Sequence, residues 1–123
     1  VCPAVQAGIR SISQEEWEFA KQSGQLDKIH WAGKIDVKNV IHQLKPNVYI
    51  TLDVDVFDPS VIPATGTPEP GGLLWREVLA ILKAVCSAKK VVGFDVVELS
   101  PRKGDIASDF TVARLVYKMM AYA

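Results

Sequence analysis

The feature that most constrains this chain is an apolar, β-branched run that stops on acids: Val48-Tyr49-Ile50-Thr51-Leu52-Asp53-Val54-Asp55. Residues 47–54 read as a strand buried on both faces, as in a parallel sheet. An unpartnered carboxylate at the end of such a strand is strongly disfavoured, so these acids need a partner. Side chains alternate along a strand, which puts Asp53 and Asp55 on the same side. They stand at the carboxyl end, where open parallel sheets place their ligand sites. Two same-side carboxylates repel unless a cation lies between them, and hard divalent cations prefer oxygen ligands. One reading is therefore a metal site. The other is a helix cap plus a turn-forming aspartate, and a bare Asp-x-Asp does not separate them.

A second run repeats the pattern. Residues 90–96 read as another buried strand, and Phe94-Asp95-Val96-Val97-Glu98-Leu99-Ser100-Pro101 carries acids to its carboxyl end. Between the two strands lies a long loop, residues 57–72, with Pro59, Pro63, Pro68 and Pro70 and with Gly66, Gly71 and Gly72. A helix over 73–88 follows, with Leu74, Val78, Leu82 and Val85 spaced to face a core. Loop, helix and strand make one crossover connection, which seats consecutive strands side by side. Glu98 then faces the crevice that holds Asp53 and Asp55. Loops of this length are functional or disordered, and the prolines favour a shaped wall. Thr67 offers a hydroxyl to a polar substrate, or bonds its own backbone in a turn.

Elsewhere, residues 5–9 read as a buried strand. Ser13-Gln14-Glu15-Glu16 is a capping box that opens a helix to Gln22, with Gly24 as its stop. His30-Trp31-Ala32 is a short strand or an irregular connection. Asp36 caps a helix to Leu44, with Pro46 beyond. A last helix over 109–121 carries Val112, Leu115, Val116 and Met119 as its apolar stripe, and Met119 and Met120 are read as packing residues. Strands alternate with helices, so the class is α/β, a parallel sheet with flanking helices. Without a repeat or a linker, residues 1–123 read as a single domain.

Composition narrows the function. Hydrophobic residues make up 49% of the 123, enough for a packed core. Lys and Arg number 14 and Asp and Glu 14, with no like-charge run, which argues against a nucleic-acid or membrane-surface partner. No apolar run approaches the roughly 20 residues of a membrane span. Cys2 and Cys86 lie outside any metal-type spacing and read as free thiols of a reducing, cytoplasmic compartment. The first residues lack a basic leader. The chain opens on Val1 and enters a strand by Val5, which suits a mature domain or a chain without its front half.

Taken together, three segments are specific. Ile50-Thr51-Leu52-Asp53-Val54-Asp55-Val56-Phe57-Asp58-Pro59 with Pro63-Ala64-Thr65-Gly66-Thr67-Pro68-Glu69-Pro70-Gly71-Gly72 resembles a signature of the ureohydrolases, the arginase/agmatinase family. Gly93-Phe94-Asp95-Val96-Val97-Glu98-Leu99-Ser100-Pro101 is similar to the family's later acidic motif. Ser108-Asp109-Phe110-Thr111-Val112-Ala113-Arg114-Leu115 is similar to the start of its final helix, and Gly8-Ile9-Arg10-Ser11 to a segment before these motifs.

The resemblance implies the C-terminal half of a three-layer α/β/α fold. It implies hydrolysis of a small guanidinium substrate to urea and an amine, with two manganese ions that activate water and clamp developing charge. Asp53 matches the carboxylate bridging both metals and Asp55 a terminal ligand. Glu98 matches the acid that orients the guanidinium, and Thr67 lies in a substrate-side loop. The loop resembles agmatinases more than arginases, which implies agmatine to putrescine and urea, with guanidinobutyrate and related substrates open. The family forms homo-oligomers.

The family's Gly-Gly-Asp-His and Asp-Ala-His-x-Asp motifs have no counterpart here. His30 and His42 have no ligand spacing to the acids and read as surface or satisfied structural histidines. The expectation is a chain that by itself neither completes the two-metal centre nor hydrolyses substrate, and that self-associates through unpaired sheet edges. Two other classes compete. A phosphoacceptor receiver domain would need an acidic pair after its first strand, where Arg10-Ser11 stands. A non-catalytic α/β interaction module would need no metal.

Overall fold

The computed structural model describes residues 4–123, so Cys2 lies outside the described residues. Four strands and four helices alternate. They are β1 (Gln6–Ile9), α1 (Gln14–Gln22), β2 (Ile29–Trp31), α2 (Val37–Gln43), β3 (Asn47–Asp53), α3 (Trp75–Ala88), β4 (Lys90–Val97) and α4 (Ile106–Tyr122). All strand pairing is parallel. β1 pairs with β2, and β3 with β4 across the α3 crossover, so the described residues hold two separate two-stranded ladders. The α/β class with flanking helices therefore holds, with the parallel pairing divided in two.

Local signals explain most element boundaries. The Ser13 hydroxyl accepts from the Glu16 amide at 3.2 Å, and the Glu16 carboxylate accepts from the Ser13 amide at 2.9 Å, which starts α1. Asp36 caps α2 by accepting from the amides of Lys38 and Asn39. α4 starts earlier than its apolar stripe suggests. The Asp105 carboxylate accepts from the Ser108 amide at 3.0 Å and the Ser108 hydroxyl at 2.6 Å, and so captures an extra turn. α3 starts later than expected, because Leu73 is drawn into a parallel bridge with Phe57 and Leu74 becomes an exposed cap.

The core lies between β3–β4 and the helices α3 and α4. Leu52, Val54, Phe57, Ile62, Leu115 and Met119 are its centre. The strands depart from the expectation of burial on both faces. On β3, Val48 and Leu52 point inward, while Tyr49 is 60% exposed on the other face. β4 bulges opposite Val48 and Tyr49, which leaves Val92 unpaired and 61% exposed. β1 buries only Gly8 among its residues. Apolar sequence alone does not say whether a second layer covers the outer face. Met120 departs as well: Met119 is buried, but Met120 is 59% exposed beside Tyr117, 61% exposed. One helical position turns a side chain by about 100°, so adjacent methionines seldom share one face.

The loop between β3 and α3 is closed at its neck. The Asp58 amide donates to the Leu73 carbonyl at 3.0 Å and the Leu73 amide to the Val56 carbonyl at 2.8 Å. Asp58 reinforces the closure. Its carboxylate accepts from the Ser60 hydroxyl at 2.6 Å, the Ser60 amide at 3.0 Å and the Gly71 amide at 3.0 Å. These bonds, the Ser60 hydroxyl first, hold the carboxyl below its ordinary value. A depressed folded-state value stabilises the fold above the unfolded-state value, and that gain is lost as pH falls through the folded one. Asp58→Asn is therefore expected to lower the melting temperature at pH 7. The gap to the unaltered chain should narrow as pH falls below about 4. Circular dichroism melts across that range check it, and a pH-independent gap would refute it.

Candidate active site

β3 ends at Asp53, and the chain at once enters a 3₁₀ turn, residues Val54–Val56. The strand alternation expected to align Asp53 with Asp55 therefore does not apply. A turn brings the two acids together instead, with the Asp55 amide donating to Asp53 Oδ1 at 3.0 Å. Asp53 thus caps the turn that presents Asp55, and both expected roles, cap and acid pair, fall on one residue. Burial, then the Asp53 charge, push the Asp55 carboxyl above its ordinary value. Arg10 opposes this, and the Glu98 charge adds to it.

Glu98 follows β4 and stands in the same electrostatic neighbourhood. It is the one non-glycine among the described residues with positive φ, at 66°. For an L-residue this backbone state costs about 1–2 kcal/mol, and such strain gathers at functional sites. A Cβ at Gly66 would lie 4.0 Å from Glu98 Oε2, so the loop crosses directly over this acid. The Glu98 charge thus acts on Asp55, and its exposed side chain borders the loop at Gly66. Asp95 does not join them. It lies on the outer sheet face, where the Tyr49 and Thr51 hydroxyls donate to its two oxygens at 2.9 and 2.6 Å.

Thr67 is exposed on the wall of a cleft of about 320 Å³ that also takes in Arg10, Ser11, Asp55 and Glu69. Glu98 is not on that wall, so Thr67 meets Asp55 there but not Glu98. A slightly larger cleft of about 360 Å³ lies between Trp75 and Phe110 near Arg114 and Lys118. It has no carboxylate, and the first cleft is where the acids are. Within the loop, Thr65 is buried with its hydroxyl unpartnered. Arg10 and Glu69 escaped the sequence reading as members of the site. A cation just after the first parallel strand was the one signal that pointed to Arg10.

The donor chemistry of Asp53 and Asp55 suits a hard divalent cation, and the crowding of negative charge at Asp55 is what such an ion relieves. No group of three or more His, Cys, Asp or Glu able to hold a metal gathers among the described residues. The pair therefore fits such an ion in kind alone. His30 is buried with Nε2 3.0 Å from Gln43 Oε1, a satisfied structural histidine, and His42 is exposed. Cys86 is a half-buried free thiol. Among the described residues, no helix is long and apolar enough to cross a membrane.

The chain is 42% identical over 119 residues to the N(1)-aminopropylagmatine ureohydrolase of Thermus thermophilus, covering 94% of the chain and 40% of that protein. It is 40% identical over 115 residues to the agmatinase of Pyrococcus horikoshii, covering 89% and 39%. The chain thus spans about two fifths of the length of the curated relatives it matches. The solved proclavaminate amidinohydrolase of Streptomyces clavuligerus superposes with a TM-score of 0.75 at 34% identity, over 95% of this chain and 42% of that one. Residues 3–122 match the profile of the arginase family, and the chain belongs to that family.

Proposed function

We propose that this chain forms part of the active site of a guanidinium hydrolase that acts on agmatine or its N(1)-aminopropyl derivative and releases urea. The observation that carries the reading is the turn by which Asp53 presents Asp55 to the cleft that Thr67 lines, with a backbone-strained Glu98 beside Gly66 of the same loop. Backbone strain gathers at functional sites, which supports a ligand for Glu98. The relatives' names support an alkylguanidine, and both N(1)-aminopropylagmatine and agmatine appear among them. Residues 1–123 are proposed to act as one domain of a cytoplasmic protein.

In this reading Asp53 and Asp55 hold manganese, two ions in the whole protein. The metal supplies positive charge that polarises the reacting centre and makes water a better nucleophile. Glu98 accepts N–H bonds from the planar guanidinium and fixes its orientation, a charge-assisted and therefore strong contact. Thr67 presents its hydroxyl from the loop, and the Asp53 cap keeps Asp55 pointed at the same space. Two carboxylates leave the centre incomplete, so the chain by itself releases no urea. Homo-oligomer formation belongs to the same proposal, supported by exposed Phe110, Tyr117 and Met120 on α4.

Manganese titration followed by amide NMR tests the reading. Paramagnetic broadening is expected first at residues 53–55 and 66–67, and is expected to disappear in Asp55→Asn. With diamagnetic magnesium in place of manganese, agmatine is expected to shift the Glu98 and Gly66 amides, several-fold more weakly in Glu98→Gln. Uniform broadening over all surface acids would favour a non-catalytic interaction module. Urea from agmatine with the chain alone would show that neighbouring copies supply further ligands.

A further inference from the structure

Arg10 lies just beyond β1, and its guanidinium gathers carbonyl groups from both ends of the loop. Nη2 donates to the Asp55 carbonyl at 2.6 Å and to the Glu69 carbonyl at 2.6 Å. Nε donates to the Glu69 carbonyl at 3.1 Å and the Pro70 carbonyl at 3.3 Å. One acceptor belongs to the residue that carries a site carboxylate. The others sit beside Thr67, whose carbonyl accepts from the Glu69 amide at 2.8 Å. β1 is seated tightly enough to aim this side chain. A Cβ at Gly8, where φ is +92°, would come 2.5 Å from Val56 Cγ2.

We propose that Arg10 is a positioning residue, a latch that sets the loop bearing Thr67 at a fixed distance from the turn bearing Asp55. The idea that this placement serves a guanidinium substrate rests on the function proposed above; the latch itself does not. A planar fork of N–H donors spans carbonyls from separate segments, which the point charge of lysine does not do. Arg10 also brings positive charge toward Asp55, so geometry and charge must be separated by experiment. The Lys variant keeps the charge and loses the fork.

Amide hydrogen exchange of the chain, without substrate, is measured for the unaltered protein, Arg10→Lys and Arg10→Gln. Arg102→Gln is the control, because that guanidinium also donates to the loop, at the Thr65 carbonyl. The amides of Glu69, Gly71 and Gly72, which are hydrogen-bonded within the loop, are expected to exchange about tenfold faster in both Arg10 variants, with α3 unchanged. Wild-type protection in Arg10→Lys, or acceleration spread evenly through α3 and β4, would overturn the latch. In a second arm, agmatine is titrated with manganese present and its binding is read by isothermal titration calorimetry. Its affinity is expected to fall about five- to tenfold in Arg10→Lys at an unchanged melting temperature. If the unaltered chain gives no agmatine response, the substrate reading fails, and the exchange data still decide the latch.

Discussion

Phe57→Ala is expected to destabilise the fold by about 3–5 kcal/mol, the usual range for deleting a buried aromatic side chain. Phe57 is 1% exposed and among the largest fully buried side chains. Its ring stacks on Trp75 at 6.0 Å between centroids, which ties the loop neck to the first turn of α3. Both backbone bonds of the neck also flank it. A loss of this size is a large fraction of the roughly 5–15 kcal/mol typical of a folded domain. Urea or guanidinium denaturation checks it, and a change under about 1 kcal/mol would mean that the site collapses around the missing ring. Phe57→Leu should recover part of the loss, since it refills volume without the aromatic contact.

Gly72→Ala is expected to act on the same neck by the opposite physics, overpacking. A Cβ at Gly72 would lie 2.6 Å from the Phe57 carbonyl oxygen and even closer to the Asp58 amide. The obstacle is backbone, so no side-chain rotation relieves it. The two segments must move apart, which strains the Asp58–Leu73 and Leu73–Val56 bonds. Overpacking and weakened bonds together amount to about 2–4 kcal/mol. Amide exchange at Asp58 and Leu73 should rise alongside the lower midpoint. Gly71→Ala makes a useful contrast: it has open space around its Cβ position but φ of +79°. Its penalty should be near the 1–2 kcal/mol of a left-handed L-residue alone. Equal losses at the two glycines would show that the predicted clash is absorbed.

What the sequence made legible was local chemistry. The Ser13 box and the Asp36 cap depend on residues two or three apart, and both form as read. The α3 crossover was legible because two apolar strands and an amphipathic helix admit few connections. The orientation of Asp55 was not legible, because Asp53 ends its own strand by capping a turn, and periodicity ends where the strand does. The exposed Tyr49 and Val92 face was hidden for another reason. Apolar residues mark a surface suited to burial without naming what buries it. Arg10 was the hardest to read. Its partners lie 45, 59 and 60 residues away and are backbone carbonyls, which every residue possesses.

The closed neck at Phe57 and Leu73 also bears on how such a protein diversifies. With both ends of the segment pinned, chain added or removed at its tip changes closure entropy only logarithmically, about 0.6 kcal/mol per doubling of length. The stem carries the packing and the tip carries the contacts. Selection can therefore rewrite the exposed tip without renegotiating the core, and a laboratory library confined to residues 66–69 should inherit the same tolerance, while Ile62 and Ala64 belong to the packed stem.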